Sequence, residues 1–206
     1  DGIPDIATAN KSDDSISVLL GIGDGTFQAA SSFMTSGNTG RIAIAAADFY
    51  KDGNVDLATP DNSTNLVTFL FGDGTGQFAI GATATVGSNP TSIAVGDFNN
   101  DSWPDIATPS GGFTRLNINL NNGNGTFGAP VNYATGSVAN TVIVGDFNHA
   151  KRPDLAVACT FPSTDGVGVL LENGNGTFQP YVGYNAGEQT PATIAVADLN
   201  NDGIQD

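Results

Sequence analysis

A nine-residue acidic loop recurs along this chain at nearly constant spacing and constrains the fold more than any other feature. Its consensus is Asp-x-Asn-x-Asp-Gly-x-x-Asp, and the copies read DFYKDGNVD from Asp48, DFNNDSWPD from Asp97, DFNHAKRPD from Asp146 and DLNNDGIQD from Asp198. Their starts lie 49, 49 and 52 residues apart. The second half of another copy, DGIPD, occupies residues 1–5. A fixed period of this length indicates a repeat protein.

The net charge of −15 comes from 21 acidic and 6 basic residues, and most of the acidic ones fall in the repeated loops. Carboxylates grouped in this way repel one another unless protons or cations intervene. The shortage of basic residues argues against nucleic acid as a partner, because a phosphate backbone is bound by clustered Lys and Arg. No apolar run approaches the roughly 18 residues needed to cross a membrane as a helix.

The segments between the loops predict β-strands. In the third copy, four runs rich in Val, Ile, Leu and Thr are separated by Gly, Asn and Asp clusters, and they cover residues 91–98, 104–110, 115–121 and 131–136. Runs of this length and composition between turn residues are typical of strands. No helical periodicity of useful length is present, so we expect an all-β fold.

A second repeated motif, Gly-Asn/Asp-Gly-Thr-Phe, separates the third and fourth strand of each unit. It ends at Phe27, Phe127 and Phe178, and a variant, GDGTGQF, ends at Phe78. Asn-Gly and Asp-Gly favour positive φ and therefore hairpin turns. We expect each phenylalanine to pack between neighbouring units.

Four antiparallel strands in a repeat of about 50 residues predict a β-propeller with four-stranded blades. The first strand of each unit is rich in Ala and Gly, as suits the innermost strand near a crowded axis. We treat residues 1–206 as a single repeat domain. The predicted blades cover about 1–40 (without an inner strand), 41–90, 91–139 and 140–190, and an extra inner strand falls in 191–206, at Ala192 to Leu199.

Together, the acidic loop, the Leu-Ala or Ile-Ala strand after it and the Gly-Asn/Asp-Gly-Thr-Phe turn resemble the FG-GAP/VCBS repeat family. The segment Phe127-Gly128-Ala129-Pro130 matches the motif for which the family is named. The resemblance covers essentially the whole chain. It implies a propeller like that of integrin α-subunits, which binds calcium, and like those of several microbial surface proteins and lectins. Such relatives usually close with seven blades.

The loops have the donor pattern of a calcium site. Calcium takes six to eight hard oxygens from carboxylates and backbone carbonyls. Positions 1, 3, 5 and 9 would supply side chains, position 7 its carbonyl, and Gly at position 6 would allow the sharp turn. The alternative is that Asp and Asn simply form Asx turns. The candidate ligands are Asp48, Asp52, Asn54 and Asp56; Asp97, Asn99, Asp101, Trp103 and Asp105; and Asp198, Asn200, Asp202, Ile204 and Asp206.

The copies differ in quality. Tyr50 replaces the ligand at position 3 of the first complete loop, and Ser102 replaces Gly in the second. In the third, Ala150 removes a ligand, and Lys151 and Arg152 could neutralise the loop carboxylates Asp146 and Asp154 without any metal, so we expect no calcium there or only weak binding. The lone Cys159 lies in an apolar strand and is expected to be buried and inert.

The strand count leaves closure open. The four predicted blades contain three, four, four and four strands, and the extra inner strand adds one more, which is enough for four complete blades. These blades form either an open arc whose free edges promote self-association or a small ring closed by the last strand.

No catalytic constellation is visible by the usual site criteria, so we do not expect an enzyme. Weak calcium sites of about 10⁻⁴ to 10⁻³ M fill only outside cells, which favours a secreted or cell-surface protein. The leading hypothesis is a calcium-binding interaction module for a protein or glycan ligand. The alternatives are a lectin with sugar between blades, using aromatic residues such as Trp103, Tyr133, Tyr181 and Tyr184, and a structural repeat that assembles with itself.

Overall fold

The computed structural model describes residues 1–35, 40, 43–160, 166–187 and 191–205, and all the regular elements in these ranges are β-strands. They form four antiparallel sheets, each built from consecutive strands. The predicted all-β propeller is therefore confirmed. We call the sheets blades 1 to 4.

Blade 1 has three strands and blades 2 to 4 have four each. Blade 1 contains β1 (Ile6–Asn10), β2 (Ser15–Leu19) and β3 (Ser31–Met34). Blade 2 contains β4 (Ala45–Ala47), β5 (Asp56–Asp61), β6 (Leu66–Gly72) and β7 (Phe78–Thr85). Blade 3 contains β8 (Ala94–Gly96), β9 (Asp105–Pro109), β10 (Arg115–Asn119) and β11 (Val131–Ala134). Blade 4 contains β12 (Val138–Gly145), β13 (Asp154–Thr160), β14 (Val167–Leu170) and β15 (Val182–Tyr184).

The inner strands β4, β8 and β12 contact one another in that order. Each pairs with the second strand of its blade in the same register: Ala45 lies opposite Ala58 and Ala94 opposite Ala107. Small side chains allow these strands to approach each other closely, as the Ala- and Gly-rich sequence predicts.

The core lies between the blades. Strand side chains alternate between the two faces of a blade, and each face of an interior blade packs on a neighbour. Three clusters of buried apolar residues result. Their central members are Ile16, Val18, Leu57 and Leu70 between blades 1 and 2; Val67, Phe69, Ile93 and Ile106 between blades 2 and 3; and Leu116, Ile118, Leu155 and Leu170 between blades 3 and 4.

The phenylalanine after the turn was predicted to pack between neighbouring units in all four copies, and in three of them it packs backward onto the preceding blade. Phe78 lies 5.5 Å from Phe33 between ring centroids, and Phe127 stacks on Phe69 at 4.6 Å. Phe178 makes edge contacts with rings of blade 3. Phe27 of blade 1 remains 39% exposed.

The structure bears on three further expectations. In the described ranges, blade 1 has three paired strands and no inner strand. The extra inner strand expected at Ala192 to Leu199 is not formed, since residues 191–198 pair with no strand in the part of the chain that the structure describes. A strand exists only where a neighbour completes its hydrogen-bond ladder. The Cys159 side chain is fully buried, which confirms its expected burial.

Candidate metal-binding loops

The acidic loops from Asp48, Asp97 and Asp146 each leave an inner strand and turn sharply into the second strand of the blade, whereas the loop from Asp198 follows the unpaired segment 191–197. The carboxylate at position 1 closes this turn, because it accepts backbone N–H groups from positions 5 and 6. Asp97 accepts them from Asp101 at 3.0 Å and from Ser102 at 2.8 Å. The carboxylates of Asp48, Asp146 and Asp198 accept the equivalent pairs of N–H groups.

Positions 4 and 6 of the loops take the left-handed conformation. In the loop from Asp48, Lys51 has φ 53° and Gly53 has φ 89°. Position 6 suits glycine, yet Ser102 and Lys151 hold it at 69° and 58°. The consensus glycine predicts the positive φ at position 6, whereas no sequence signal predicted the positive φ at position 4.

The side chains at positions 3 and 5 face each other in two of the loops. Asn99 donates to Asp101 at 2.9 Å, and Asn200 donates to Asp202 at 3.0 Å. The position-5 carboxylate also accepts the N–H of position 7, in Asp52 from Asn54 at 2.8 Å. The N–H groups of Trp103 and Ile204 make the same contact. These are Asx turns, so the structure contains the hydrogen bonds of the metal-free alternative.

The position-9 aspartates have a role that the sequence did not reveal. Asp105 is fully buried, and its two oxygens accept N–H groups from Phe98 at 2.9 Å and from Asn121 at 2.7 Å. Asp56 and Asp154 are also fully buried and make the same pair of bonds. Each carboxylate thus joins the acidic loop to the end of the third strand.

These buried carboxylates carry poorly compensated charge. The pKa of Asp105 is raised to about 7, mainly by burial and to a smaller extent by the charges of Asp101 and Asp97. The N–H bonds from Asn121 and Phe98 lower the pKa, but by less than burial raises it. Burial also raises the pKa of Asp56, with smaller contributions from Asp52 and Asp48. A cation among these groups would relieve both the desolvation and the repulsion.

The donor chemistry of the loops fits calcium, because hard oxygens alternate along each loop beside a buried carboxylate. The oxygens of the described loop residues do not form a complete coordination shell. Among the described residues, no three acidic, His or Cys side chains converge into a ready-made metal site. Asp198 is half-buried and residues 199–205 of its loop are exposed, and the predicted ligand Asp206 lies outside the described residues.

The loop from Asp146 contains an ion pair instead. Arg152 approaches the buried carboxylate of Glu172, with its Nε 3.2 Å from Oε2 but without hydrogen-bond alignment. Glu172 also accepts N–H groups from the Gly174–Gly176 turn. The sequence had suggested Asp146 and Asp154 as the partners of this cation. The Arg152 charge does lower the pKa of Asp154, but less than burial raises it.

The aromatic residues proposed for sugar stacking have different environments. Lys51 lies over the Trp103 ring at 4.9 Å, and the Tyr133 hydroxyl accepts the Phe178 N–H at 3.2 Å. Tyr184 is 55% exposed. The rings of Tyr133 and Tyr181, with Phe178, line a groove of about 430 Å³ between blades 3 and 4.

Comparison with solved structures supports the fold. A lectin of Agrocybe aegerita that recognises non-reducing terminal N-acetylglucosamine is 16% identical with a TM-score of 0.54, over 88% of this chain and 52% of the lectin chain. BBS1N, solved in complex with ARL6DN, is also 16% identical with a TM-score of 0.54, over 78% of this chain and 47% of its own. The chain thus spans about half the length of these structures.

No curated protein matches the sequence significantly. No helix among the described residues is long and apolar enough to cross a membrane. Family comparison, in contrast, matches residues 1–59, 51–108 and 146–206 to the FG-GAP-like repeat and residues 89–139 to the FG-GAP repeat. These matches follow the acidic loops and turns described above, and the chain belongs to the FG-GAP repeat family.

Proposed function

We propose that this propeller is a non-enzymatic, calcium-stabilised module of a secreted or cell-surface protein, and that it binds a protein or glycan partner. The family and the fold support an interaction module. The observation that carries the calcium part is the fully buried carboxylate at Asp105, whose pKa is raised to about 7 beside two further loop carboxylates.

Calcium would be held by the loops from Asp48, Asp97 and Asp198, and it would tie the inner strand of a blade to its second strand. The protein residues prepare this site by bending the loop and burying the position-9 carboxylate. Weak extracellular-type affinity, about 10⁻⁴ to 10⁻³ M, would make occupancy depend on the compartment. This dependence is the reason for proposing a location outside the cell.

Thermal unfolding tests the calcium proposal. We expect the melting temperature to rise when calcium is added at millimolar concentration to protein treated with EDTA, because ligands that bind only the native state stabilise it. Magnesium at the same concentration is the control, since it accepts fewer protein ligands and demands stricter geometry. Identical melting curves in EDTA and in calcium would refute the proposal.

The chemistry available supports the non-enzymatic part of the proposal. The one histidine, His149, lies in the degenerate loop at φ 61°, and the one cysteine is buried. The carboxylates that come close together lie in the acidic loops, where calcium would occupy them.

A lectin is the second candidate, favoured by the aromatic groove between blades 3 and 4 and by the likeness to a lectin fold. Calcium-loaded protein on a glycan array tests it, with terminal N-acetylglucosamine among the probes. Tyr184→Ala, outside the groove, serves as the control for Tyr181→Ala. Absence of glycan binding would exclude the lectin and leave a protein ligand.

A further inference from the structure

Every Asn-Gly pair of this chain lies in one of two turns. The turn of blade 3, residues 121–125, reads NNGNG, and the turn of blade 4, residues 172–176, reads ENGNG, so each contains two pairs. Asn-Gly is the dipeptide most prone to deamidation, because glycine has no side chain to hinder its own backbone nitrogen. All four asparagines of these pairs are exposed. Burial of their side chains therefore does not protect them.

Deamidation of asparagine requires the backbone nitrogen of the following residue. This nitrogen attacks the Cγ of the asparagine, the bond from Cγ to the side-chain nitrogen breaks, and that nitrogen takes up the displaced proton and leaves as ammonia. Water then opens the five-membered succinimide to aspartate or isoaspartate. A glycine N–H that donates to a buried acceptor must first give up that hydrogen bond, so the bond slows the attack.

One side chain in each turn accepts the N–H groups of both glycines. In blade 3, the Oδ1 of Asn121 accepts the N–H groups of Gly123 and Gly125, both at 3.1 Å. In blade 4, the carboxylate of Glu172 accepts the two equivalent N–H groups. Asn121 and Glu172 are 2% and 1% exposed, so these bonds are shielded from water. The nitrogen that would attack each of the four asparagines is thus held by a buried oxygen.

Blades 1 and 2 have the opposite combination. Gly21 and Gly72 occupy the positions of Asn121 and Glu172, since all four residues pair with the phenylalanine after the turn. These glycines have no side chain that accepts an N–H. Their turns read GIGDGTF and GDGTGQF, with Asp-Gly in place of Asn-Gly. Asn-Gly pairs therefore occur only in the turns that contain a buried acceptor.

Isoaspartate in either turn would disturb the packing between blades. It inserts a methylene group into the main chain between the acceptor residue and the phenylalanine that pairs with it. Phe127 stacks on Phe69 of the preceding blade at 4.6 Å, and Phe178 makes an edge contact with Tyr133 at 5.5 Å. Because the extra atom lengthens the turn, it shifts these rings from their partners.

We infer that Asn121 and Glu172 protect the turns of blades 3 and 4 from deamidation by holding the glycine nitrogens. When the acceptor is lost, the exposed asparagines of its turn become sites of modification. The chain has four such sites, which are Asn122, Asn124, Asn173 and Asn175.

Peptide mass spectrometry after prolonged incubation at neutral pH tests the inference. Tryptic cleavage after Arg115 and Lys151 places the two turns in different peptides, so each rate is measured separately. Asn121→Ala should raise deamidation in the turn of blade 3 by about threefold to tenfold, as expected for the loss of one hydrogen bond. The turn of blade 4 should keep its wild-type rate and is the internal control. Glu172→Ala should have the reverse effect.

Glu172→Asn is the matched control for Glu172→Ala, because it copies the acceptor of blade 3. It should keep deamidation in the turn of blade 4 close to the wild-type rate, although it loses the ion pair with Arg152. A purely structural role of Glu172 predicts instead that both variants accelerate deamidation in proportion to their loss of stability, and that result would contradict the inference.

The wild type provides a test that needs no variant. Its four sites should deamidate more than about tenfold more slowly in buffer than in urea, since unfolding removes every hydrogen bond of the turns. Equal rates in buffer and in urea would overturn the inference, as would an alanine variant whose own turn keeps the wild-type rate. Equal acceleration of both turns by one variant would also overturn it, because the protection would then belong to the fold as a whole. Circular dichroism checks that each variant is folded.

Discussion

The guanidinium of Arg152 lies 3.2 Å from the carboxylate of Glu172, which joins the degenerate acidic loop of blade 4 to the following Gly-Asn-Gly turn. Blade 3 has Asn121 at the position of Glu172, and its side chain accepts N–H groups from Gly123 and Gly125 without any cation. Blade 4 therefore combines the loss of a loop ligand with an internal ion pair.

We expect Arg152→Gln to lower the free energy of unfolding, because it leaves the carboxylate of Glu172, which is 1% exposed, without its cation. The arginine is 40% exposed, so solvent screening limits the loss to about 1–3 kcal/mol. On the Glu172→Asn background, which copies blade 3, the same substitution should cost much less. Urea unfolding of the four proteins measures this coupling, and equal costs in both backgrounds would contradict it.

The stability of the calcium-free protein should fall as the pH rises from about 4 to about 7. The pKa of Asp105 is about 7 in the folded protein against an ordinary value of 3.8, so the native state binds more protons than the unfolded state in this window. The native form therefore loses its advantage as Asp105 ionises. Urea midpoints in EDTA measure this slope.

Asp105→Asn should flatten that slope, because the amide does not ionise. It should also lower stability at every pH, because an amide has one acceptor oxygen and cannot accept the N–H groups of both Phe98 and Asn121. Asp24→Asn is the control. Hydrogen bonds from Thr26 lower the pKa of Asp24, and the equivalent Asn124 already makes the same contacts with Thr126. A slope that survives Asp105→Asn would assign the pH dependence to other groups.

The repeat unit was readable from the sequence because its signals are local. Acidic loops, Asn-Gly turns and alternating apolar residues each act within a few positions, so three complete blades and the packing of Phe78, Phe127 and Phe178 were predicted. The strand at 192–199 was wrong for a non-local reason. Its sequence matches the inner strands, but no strand among the described residues pairs with it.

The site was predicted less completely. Loop spacing located the acidic groups, but each Asp at position 9 binds a backbone N–H about 16 residues further along the chain, as in Asp105 with Asn121. The pairing of Arg152 with Glu172 likewise crosses a strand and depends on the closed sheet. No loop motif encodes these partners, whereas the fold brings them together.

Calcium should distinguish the loops. Asp97→Ala and Asp146→Ala each remove a carboxylate that accepts two backbone N–H groups, so each should cost about 1–3 kcal/mol in EDTA. Only Asp97→Ala should also reduce the rise in melting temperature on adding calcium, since the loop from Asp146 lacks a ligand at Ala150. Scanning calorimetry with and without calcium measures both effects. Equal losses of the calcium response would show that the degenerate loop also binds.

Tyr50, in the acidic loop of blade 2, packs against the turn of blade 3 at Gly125, where the absence of a side chain leaves space for the ring. The Tyr50 ring lies 3.9 Å from Phe71 between centroids, and its hydroxyl accepts the Ala82 N–H at 3.3 Å. A Cβ at Gly125 would overlap the Tyr50 ring, whereas a Cβ at Gly112 meets no atom within 4 Å, and both glycines have φ +78°. Gly112→Ala should therefore cost only the backbone strain, about 1 kcal/mol, and Gly125→Ala should add about 1–3 kcal/mol for displacing the ring. Urea unfolding measures the difference, and equal losses would show that the Tyr50 ring moves aside freely.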